Sequence, residues 1–380
     1  MWSHYEALAP LPGAPLDFQN CLEAYPQLKL GRGVMQGPYH REGDVVVHTE
    51  MVVQELIALP GYQALERSDQ VKVFHTALLH DVAKYRTTFI NPETGHIQHP
   101  GHSRKGAMDA RVILWDAGAP FDVREAICRM VSQHQTPFWT MGGSKREIAP
   151  EFIVRELSWQ MDLRLLALMA EADIRGRICD DITAILDNIE LFREMAREEN
   201  CFGRPRDFVD AHTAVSYFRG ASVHPDYALH QELGSLVKVM SGPPASGKNT
   251  YVEKHFPDLP VVSFDDALEE LGLRHGKNDG MAAHLAIDKA KRLLRAREPF
   301  VWNATHINAL NRKKTLDLLF AYNAEVEVIY LEQPRATLLA RNSKRDSTLN
   351  NTKLQSMLSK WEPVLPTEAH AVHYFPGDTR

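Results

Sequence analysis

The stretch Gly242-Pro243-Pro244-Ala245-Ser246-Gly247-Lys248-Asn249-Thr250 decides how the chain is read. It follows the apolar run Leu236-Val237-Lys238-Val239-Met240 and opens into a segment of helical composition. Glycines let a backbone curl until successive N–H groups point inward. A lysine adds a point charge, and a helix N-terminus adds the positive end of its dipole. Four residues between Gly242 and Gly247-Lys248, after a strand, is the spacing of a triphosphate-binding loop. Gly242, Ser246, Gly247, Lys248, Asn249 and Thr250 are therefore the expected nucleotide-binding residues, with ATP or another NTP and Mg²⁺ as cofactors. One position departs from the pattern. The hydroxyl residue that ordinarily follows the lysine and meets Mg²⁺ is Asn249, and Thr250 comes one place later.

Downstream of the loop, strand-like and helical segments alternate. Strands are expected at 237–240, 261–264, 300–302, 326–331 and 371–374, and helices at 248–255, 282–297, 309–321, 335–341 and 353–361. This βαβ order predicts a parallel sheet with helices on both faces. Strand two ends in Ser263-Phe264-Asp265-Asp266, at the edge where ligands bind such sheets. A carboxylate there can take the proton of a hydroxyl attacking a γ-phosphate in line, which makes Asp265 the candidate general base. Asn303-Ala-Thr305-His306-Ile-Asn308 ends strand three with hydrogen-bonding side chains at the same edge. The run Arg341-Asn-Ser-Lys344-Arg345 places two arginines four residues apart, able to clamp transferring phosphates as a lid.

Upstream, the texture is helical. After a Pro- and Gly-rich lead-in over residues 1–40, apolar periodicity predicts helices near 45–59, 68–82, 103–117, 121–134, 151–157, 163–173 and 182–199, and almost no strand. A short helix over 207–218 is expected to pack on this first domain. The chain thus reads as multidomain, with an all-α domain over 1–230 and an α/β P-loop domain over 231–380. At 380 residues, two domains fit the length. With 44% hydrophobic and 24% charged residues the protein is expected to be globular. A net charge of −6 argues against non-specific coating of nucleic acid. Cys21, Cys128, Cys179 and Cys201 show no CxxC pair, so reduced thiols are expected. With no stretch long and apolar enough to span a bilayer, a cytoplasmic location and no membrane association are expected.

Within the helical half stand His48, the doublet His80-Asp81, His102, His134 and Asp173. An imidazole and a carboxylate adjacent at the end of an apolar helix are costly unless compensated, and a cation compensates both. The order His48, then Leu79-His80-Asp81-Val-Ala-Lys84, then Gly101-His102, His134, and Asp173 in Ala172-Asp-Ile-Arg-Gly-Arg177 resembles the HD phosphohydrolase superfamily over roughly residues 40–180. The HD domain appended to bacterial tRNA nucleotidyltransferases is a close match. That resemblance implies an all-helical metal core over 45–180 and hydrolysis of phosphoesters. It also implies one or two divalent transition metals (Mn²⁺, Ni²⁺, Co²⁺ or Fe²⁺). His48, His80, Asp81 and Asp173 would hold the first ion, and His102 and His134 would help hold a second. Asp81 would then be catalytic through the metal. Lys84, Arg104, Arg175 and Arg177 lie near these positions and can serve either a phosphate or the fold.

The second half resembles the 5′-polynucleotide kinase of phages and bacterial RNA-repair systems. Lys248, Asp265, Arg341 and Arg345 fall at its catalytic positions, while Leu268 replaces an arginine that grips the acceptor phosphate. An HD module ahead of such a kinase is similar to the bacterial HD–polynucleotide kinase family. This implies healing of RNA ends, with DNA left open, in partnership with a separate RNA ligase. The alternative is a small-molecule NTP-dependent kinase fused to an HD nucleotide phosphohydrolase.

Overall fold

The computed structural model describes residues 2–37, 40–141, 148–232, 234–273, 279–344 and 349–377. The chain forms two compact units, Met1–Arg206 and Asp207–Arg380. The first contains helices α1 (Val45–Ala58), α2 (Arg67–Leu79), α3 (His102–Asp116), α4 (Phe121–Gln133), α5 (Leu163–Arg175) and α6 (Ile182–Glu198). Their starts are specified locally. Asp44 accepts from the N–H groups of Val46 and Val47 to cap α1, and Asp162 accepts from Arg164 N to cap α5. Val52, Leu56, Phe74, Leu78, Leu114, Val131 and Met169 meet in the main core. Full burial of each such side chain contributes about 1.5–3 kcal/mol.

The candidate ligands sit where these apolar stripes end. His80 directly follows α2, His134 directly follows α4, and His48 and Asp173 lie on α1 and α5. Gly176 lets α5 close on α1, because a Cβ there would stand 2.8 Å from Val52 N and 2.9 Å from Val52 Cα. The helical expectation needs one correction. Phe89–Ile90 and Ile97–Gln98 pair as a small antiparallel ribbon, unforeseen because two-residue strands carry no readable alternation.

The second unit opens with α7 (Ala211–Phe218), which was expected on the first domain. It belongs here because its polar and aromatic residues are matched by this unit. His212 stacks on His370 at 5.7 Å, and Arg219 lies 2.7 Å from Asp317 and over the Phe320 ring. The compact unit accordingly begins at Asp207, earlier than residue 231.

Next come β1 (Leu236–Ser241), α8 (Lys248–His255), β2 (Val261–Ser263), α9 (Phe264–Glu270), α10 (Asp279–Ala296) and β3 (Phe300–Asn303). They are followed by α11 (Ala309–Phe320), β4 (Glu325–Glu332), α12 (Arg335–Ser343), α13 (Asn351–Leu358) and β5 (Ala371–Pro376). The five strands pair in parallel in the order β2-β3-β1-β4-β5. β1 is therefore central, and its C-terminal edge lies between those of β3 and β4. Parallel pairing requires crossovers and cover on both faces, and β1 and β3 are accordingly mostly apolar and buried. By contrast, β4 carries Glu325, Glu327 and Glu332, and edge strand β5 is partly exposed.

Gly242, directly after β1, has φ +138°, and a Cβ there would fall 2.0 Å from Leu331 O. Both the backbone conformation and the close approach to β4 exclude a side chain. Gly242→Ala is expected to destabilise the protein by about 2–4 kcal/mol. Urea unfolding of the full chain would measure it, and a loss below about 0.5 kcal/mol would contradict this packing.

Candidate functional site

Two sites are built, one in each unit. In the first, the same local device orients three imidazoles. Nδ1 of His80 lies 2.8 Å from Ala77 O, that of His102 2.9 Å from His99 O, and that of His134 2.8 Å from Val131 O. A carbonyl can only accept, so each Nδ1 carries a proton, which leaves Nε2 as the ring atom that a neutral imidazole would offer to a metal. His48 is oriented by Glu42, whose Oε1 lies 2.9 Å from its Nδ1.

The opposite ring nitrogens converge. His48 Nε2 is 3.4 Å from His80 Nε2, 3.2 Å from Asp173 Oδ1 and 3.6 Å from Asp81 Oδ2. His80 Nε2 is 3.1 Å from Asp81 Oδ2, and His102 Nε2 is 3.4 Å from Asp81 Oδ1. His134 Nε2 stands 4.0 Å from Asp173 Oδ2. All six sequence-derived positions thus meet, and all but His102 are buried.

The donor set fits a divalent metal. His48, His80 and Asp173 form one group and Asp81, His102 and His134 another, each with its ligand atoms within 4.8 Å of one another. Asp81 Oδ1 and His134 Nε2 are buried without a hydrogen-bond partner, while Asp81 Oδ2 has the Lys84 ammonium at 2.7 Å. Buried lone pairs that face one another repel unless a proton or cation lies between them. The electrostatics agree. Burial opposes the charge on Asp81, yet the fields of His80 and Lys84 hold its carboxyl well below the ordinary range. Burial likewise opposes Asp173, which Arg177 and the His48 hydrogen bond keep ionised. Burial pushes His134 down to about 3 and lowers His102, so both present neutral rings. His48 goes the other way, its burial outweighed by hydrogen bonds to Asp173 and Glu42.

Several contributors were not foreseen. Glu42 Oε1 also holds His40 Nδ1 at 2.7 Å, and its Oε2 accepts from Ile178 N at 2.9 Å. His40, Glu42 and His48 form a third group able to hold a metal. They come from a loop with no periodicity, and only the proximity of a second histidine to His48 could have signalled them. Lys84 is buried, with Nζ 2.7 Å from Asp81 Oδ2 and donating to Gln36 Oε1 at 2.6 Å. Arg177 donates to both Asp173 oxygens. Arg175 points elsewhere and pairs with Glu171 at 2.8 Å. His75 serves the fold, between Tyr25 Oη and Tyr5 O.

In the second unit, the loop after β1 is propped from below by the segment after β3. Gly242 N donates to Thr305 O at 2.8 Å, and His306 Nδ1 donates to Met240 O at 2.9 Å. Fully buried Arg312 pins that segment, donating to His306 O at 2.8 Å and Glu362 O at 3.0 Å and bridging to Glu368. Thr305 therefore supports the loop through its main chain, and Asn308 caps α11 by accepting from Asn311 N.

Lys248 is buried and donates from Nζ to the carbonyls of Gly242 at 3.0 Å and Pro243 at 2.8 Å. Ser246 Oγ is buried with no hydrogen-bond partner. Gly247, Lys248, Asn249, Thr250 and Arg341 line a pocket of about 590 Å³, with the Tyr251–His255 ring stack on one wall. That volume suits a nucleotide. Arg341 comes close, its Nη1 3.8 Å from where a Gly247 Cβ would be. Arg345, the second expected clamp, lies outside the described residues.

Asp265 and Asp266 are exposed in the first turn of α9 at the sheet's C-terminal edge. The cap itself is Ser263, whose Oγ accepts from Asp266 N at 2.9 Å. Leu268 is buried in the core of this unit.

The family model described as an AAA domain matches residues 237–364. The second unit is an α/β domain whose parallel five-stranded sheet carries the glycine- and lysine-bearing loop directly after its central strand. Solved structures with likeness include a candidate kinase of Chloroflexus aurantiacus, 17% identical, with a TM-score of 0.32. A sugar kinase of a Janibacter species is 19% identical, with a TM-score of 0.29. Each likeness covers 37% of this chain and 85% of the other. Among the described residues no helix is long and apolar enough to cross a membrane.

Proposed function

We propose that the protein heals broken nucleic-acid ends with two independent sites. In this reading the first unit is an HD phosphoesterase that hydrolyses 2′,3′-cyclic phosphate and the derived 2′- or 3′-phosphate at RNA ends. The second transfers the γ-phosphate of an NTP to a 5′-OH polynucleotide end. RNA cleavage by transesterification leaves the two ends that these reactions convert, and a separate ligase needs the products. The observation that carries the reading is the buried convergence of His48, His80, Asp81, His102, His134 and Asp173 in a chain that also holds a triphosphate loop.

In the first site, these six residues would hold one or two divalent metals, which when bound acidify water and polarise phosphoryl oxygens. Glu42 and the Ala77, His99 and Val131 carbonyls fix the rings. Lys84 and Arg177 offset part of the carboxylate charge. In the second site, Lys248, Ser246 and the loop amides would hold the β- and γ-phosphates. Asp265 would take the proton from the 5′-hydroxyl as its oxygen bonds to the γ-phosphorus and the bond to the leaving β-phosphate oxygen breaks. Arg341, and Arg345 by resemblance, would meet the charge that develops on the transferring group.

A second reading is favoured by the burial of Leu268, which removes one grip on a nucleic-acid phosphate. In it the second unit is a kinase of small molecules and the first acts on free nucleotides. The deciding experiment uses an RNA strand with a 5′-OH and a 2′,3′-cyclic phosphate, incubated with ATP, Mg²⁺ and Mn²⁺ or Ni²⁺. Both ends are expected to change. Reaction of free nucleosides and nucleotides with no change at either RNA end would install the second reading.

A further inference from the structure

We propose that Asn303 and Asn249 together form an uncharged amide seat for the Mg²⁺ that accompanies the nucleotide, with Asn303 as its positioning residue. The inference rests on the reading of the 242–250 loop as a triphosphate site, and not on the identity of the acceptor.

In most P-loop proteins a hydroxyl directly after the lysine and an aspartate from elsewhere in the fold hold this cation. Here the first position is Asn249. β3 pairs directly with β1, with Asn303 opposite Met240 at the edge where the loop begins. Asn303 thus leaves the sheet beside the loop, and its Nδ2 donates to Asn249 Oδ1 at 3.0 Å. An amide oxygen has two lone pairs, and this bond uses one. The second lone pair of Asn249 Oδ1, and Asn303 Oδ1 itself, are oxygen donors of the kind a hard cation takes. Neither carries charge.

Asn249 and Asn303, far apart in sequence, are therefore one structural unit. A serine and aspartate would bind the cation by dipole and charge, whereas two amides offer dipoles alone. Attraction to Mg²⁺ then depends more heavily on the nucleotide's own phosphates. The tether also makes a directional statement. Asn249 lies in the first turn of α8 with its side chain held by Asn303 of β3, so the donor oxygen is oriented before nucleotide arrives.

The test is equilibrium binding of a fluorescent ATP analogue to the full chain across a Mg²⁺ titration, with EDTA as the metal-free arm. Asn303→Ala removes the tether and should raise the Mg²⁺ midpoint roughly threefold, leaving metal-free binding within about twofold of wild type. Asn303→Asp supplies the missing charge and should lower the midpoint roughly fivefold, while weakening metal-free binding through repulsion of the phosphates. Midpoints that stay at the wild-type value in both variants, or move in the same direction, overturn the proposal. A wild-type chain that binds no nucleotide under either condition overturns the loop reading with it. Failure of the RNA-end assay leaves this result untouched, because no acceptor is present.

Discussion

Replacing Asp81 by Ala is expected to abolish hydrolysis at the 3′ end, by at least about 10³-fold, and to leave 5′ phosphorylation within about twofold. Asp81 faces both ligand groups at once. Oδ2 is 3.1 Å from His80 Nε2 and 3.6 Å from His48 Nε2, while Oδ1 is 3.4 Å from His102 Nε2. Asp173 also reaches both sets, with Oδ1 3.2 Å from His48 Nε2 and Oδ2 4.0 Å from His134 Nε2, so Asp81 is the closer of two bridging carboxylates. Removing it would strip one negative charge from a buried cluster and leave Lys84 Nζ with Gln36 Oε1 as its hydrogen-bonding partner. A cation would then have Asp173 as its one remaining carboxylate and would face an uncompensated ammonium, so metal content should fall along with activity. Elemental analysis of the purified chain gives a readout independent of turnover. Asp81→Asn preserves the side-chain shape and should lose metal equally, which separates ligand loss from misfolding. Full metal content in Asp81→Asn, or loss of both end reactions together in Asp81→Ala, would refute the two-site assignment.

The parts legible in the sequence were those with local causes. The loop at Gly242–Lys248 needs one strand end and one helix start, both written in consecutive residues. The five strands followed from apolar runs, and they occur where expected with boundaries shifted by a residue or two. Strand two stops at Ser263 because its hydroxyl caps α9, so Phe264 is already helical. The histidine series was legible because His80, His102 and His134 stand at helix ends, and His48 and Asp173 lie in the first and last turns of theirs. What escaped depended on pairing across the fold. The partnership of Asn303 with Asn249 follows from β3 lying beside β1, which strand order alone decides. Glu42 and His40 come from an irregular loop, and Arg312 reads as one more charge on α11 until Glu368 and three carbonyls surround it. Helix α7 was assigned to the wrong neighbour for the same reason. Its partners His370, Asp317 and Phe320 lie about a hundred residues or more along the chain.

The second large effect concerns Lys248. Lys248→Ala is expected to lower 5′ phosphorylation by about 10²–10³-fold, with 3′-end hydrolysis unchanged. The ammonium is already confined to the loop, because two main-chain carbonyls accept its protons and the stem is buried. Its conformational freedom is therefore lost before nucleotide binds, and only a short rotation separates those carbonyls from an incoming phosphate. Such a preorganised charge acts most strongly on the transition state, where negative charge spreads over the γ-phosphoryl oxygens and the leaving oxygen. The loss should accordingly fall mainly on kcat rather than on KM for ATP. Lys248→Arg should not rescue it, since a planar guanidinium cannot fit where a compact ammonium donates to the Gly242 and Pro243 carbonyls. Steady-state assays of both ends on one preparation test this directly. A variant that lost only ATP affinity, with kcat intact, would make Lys248 a binding residue and move the catalytic charge to Arg341.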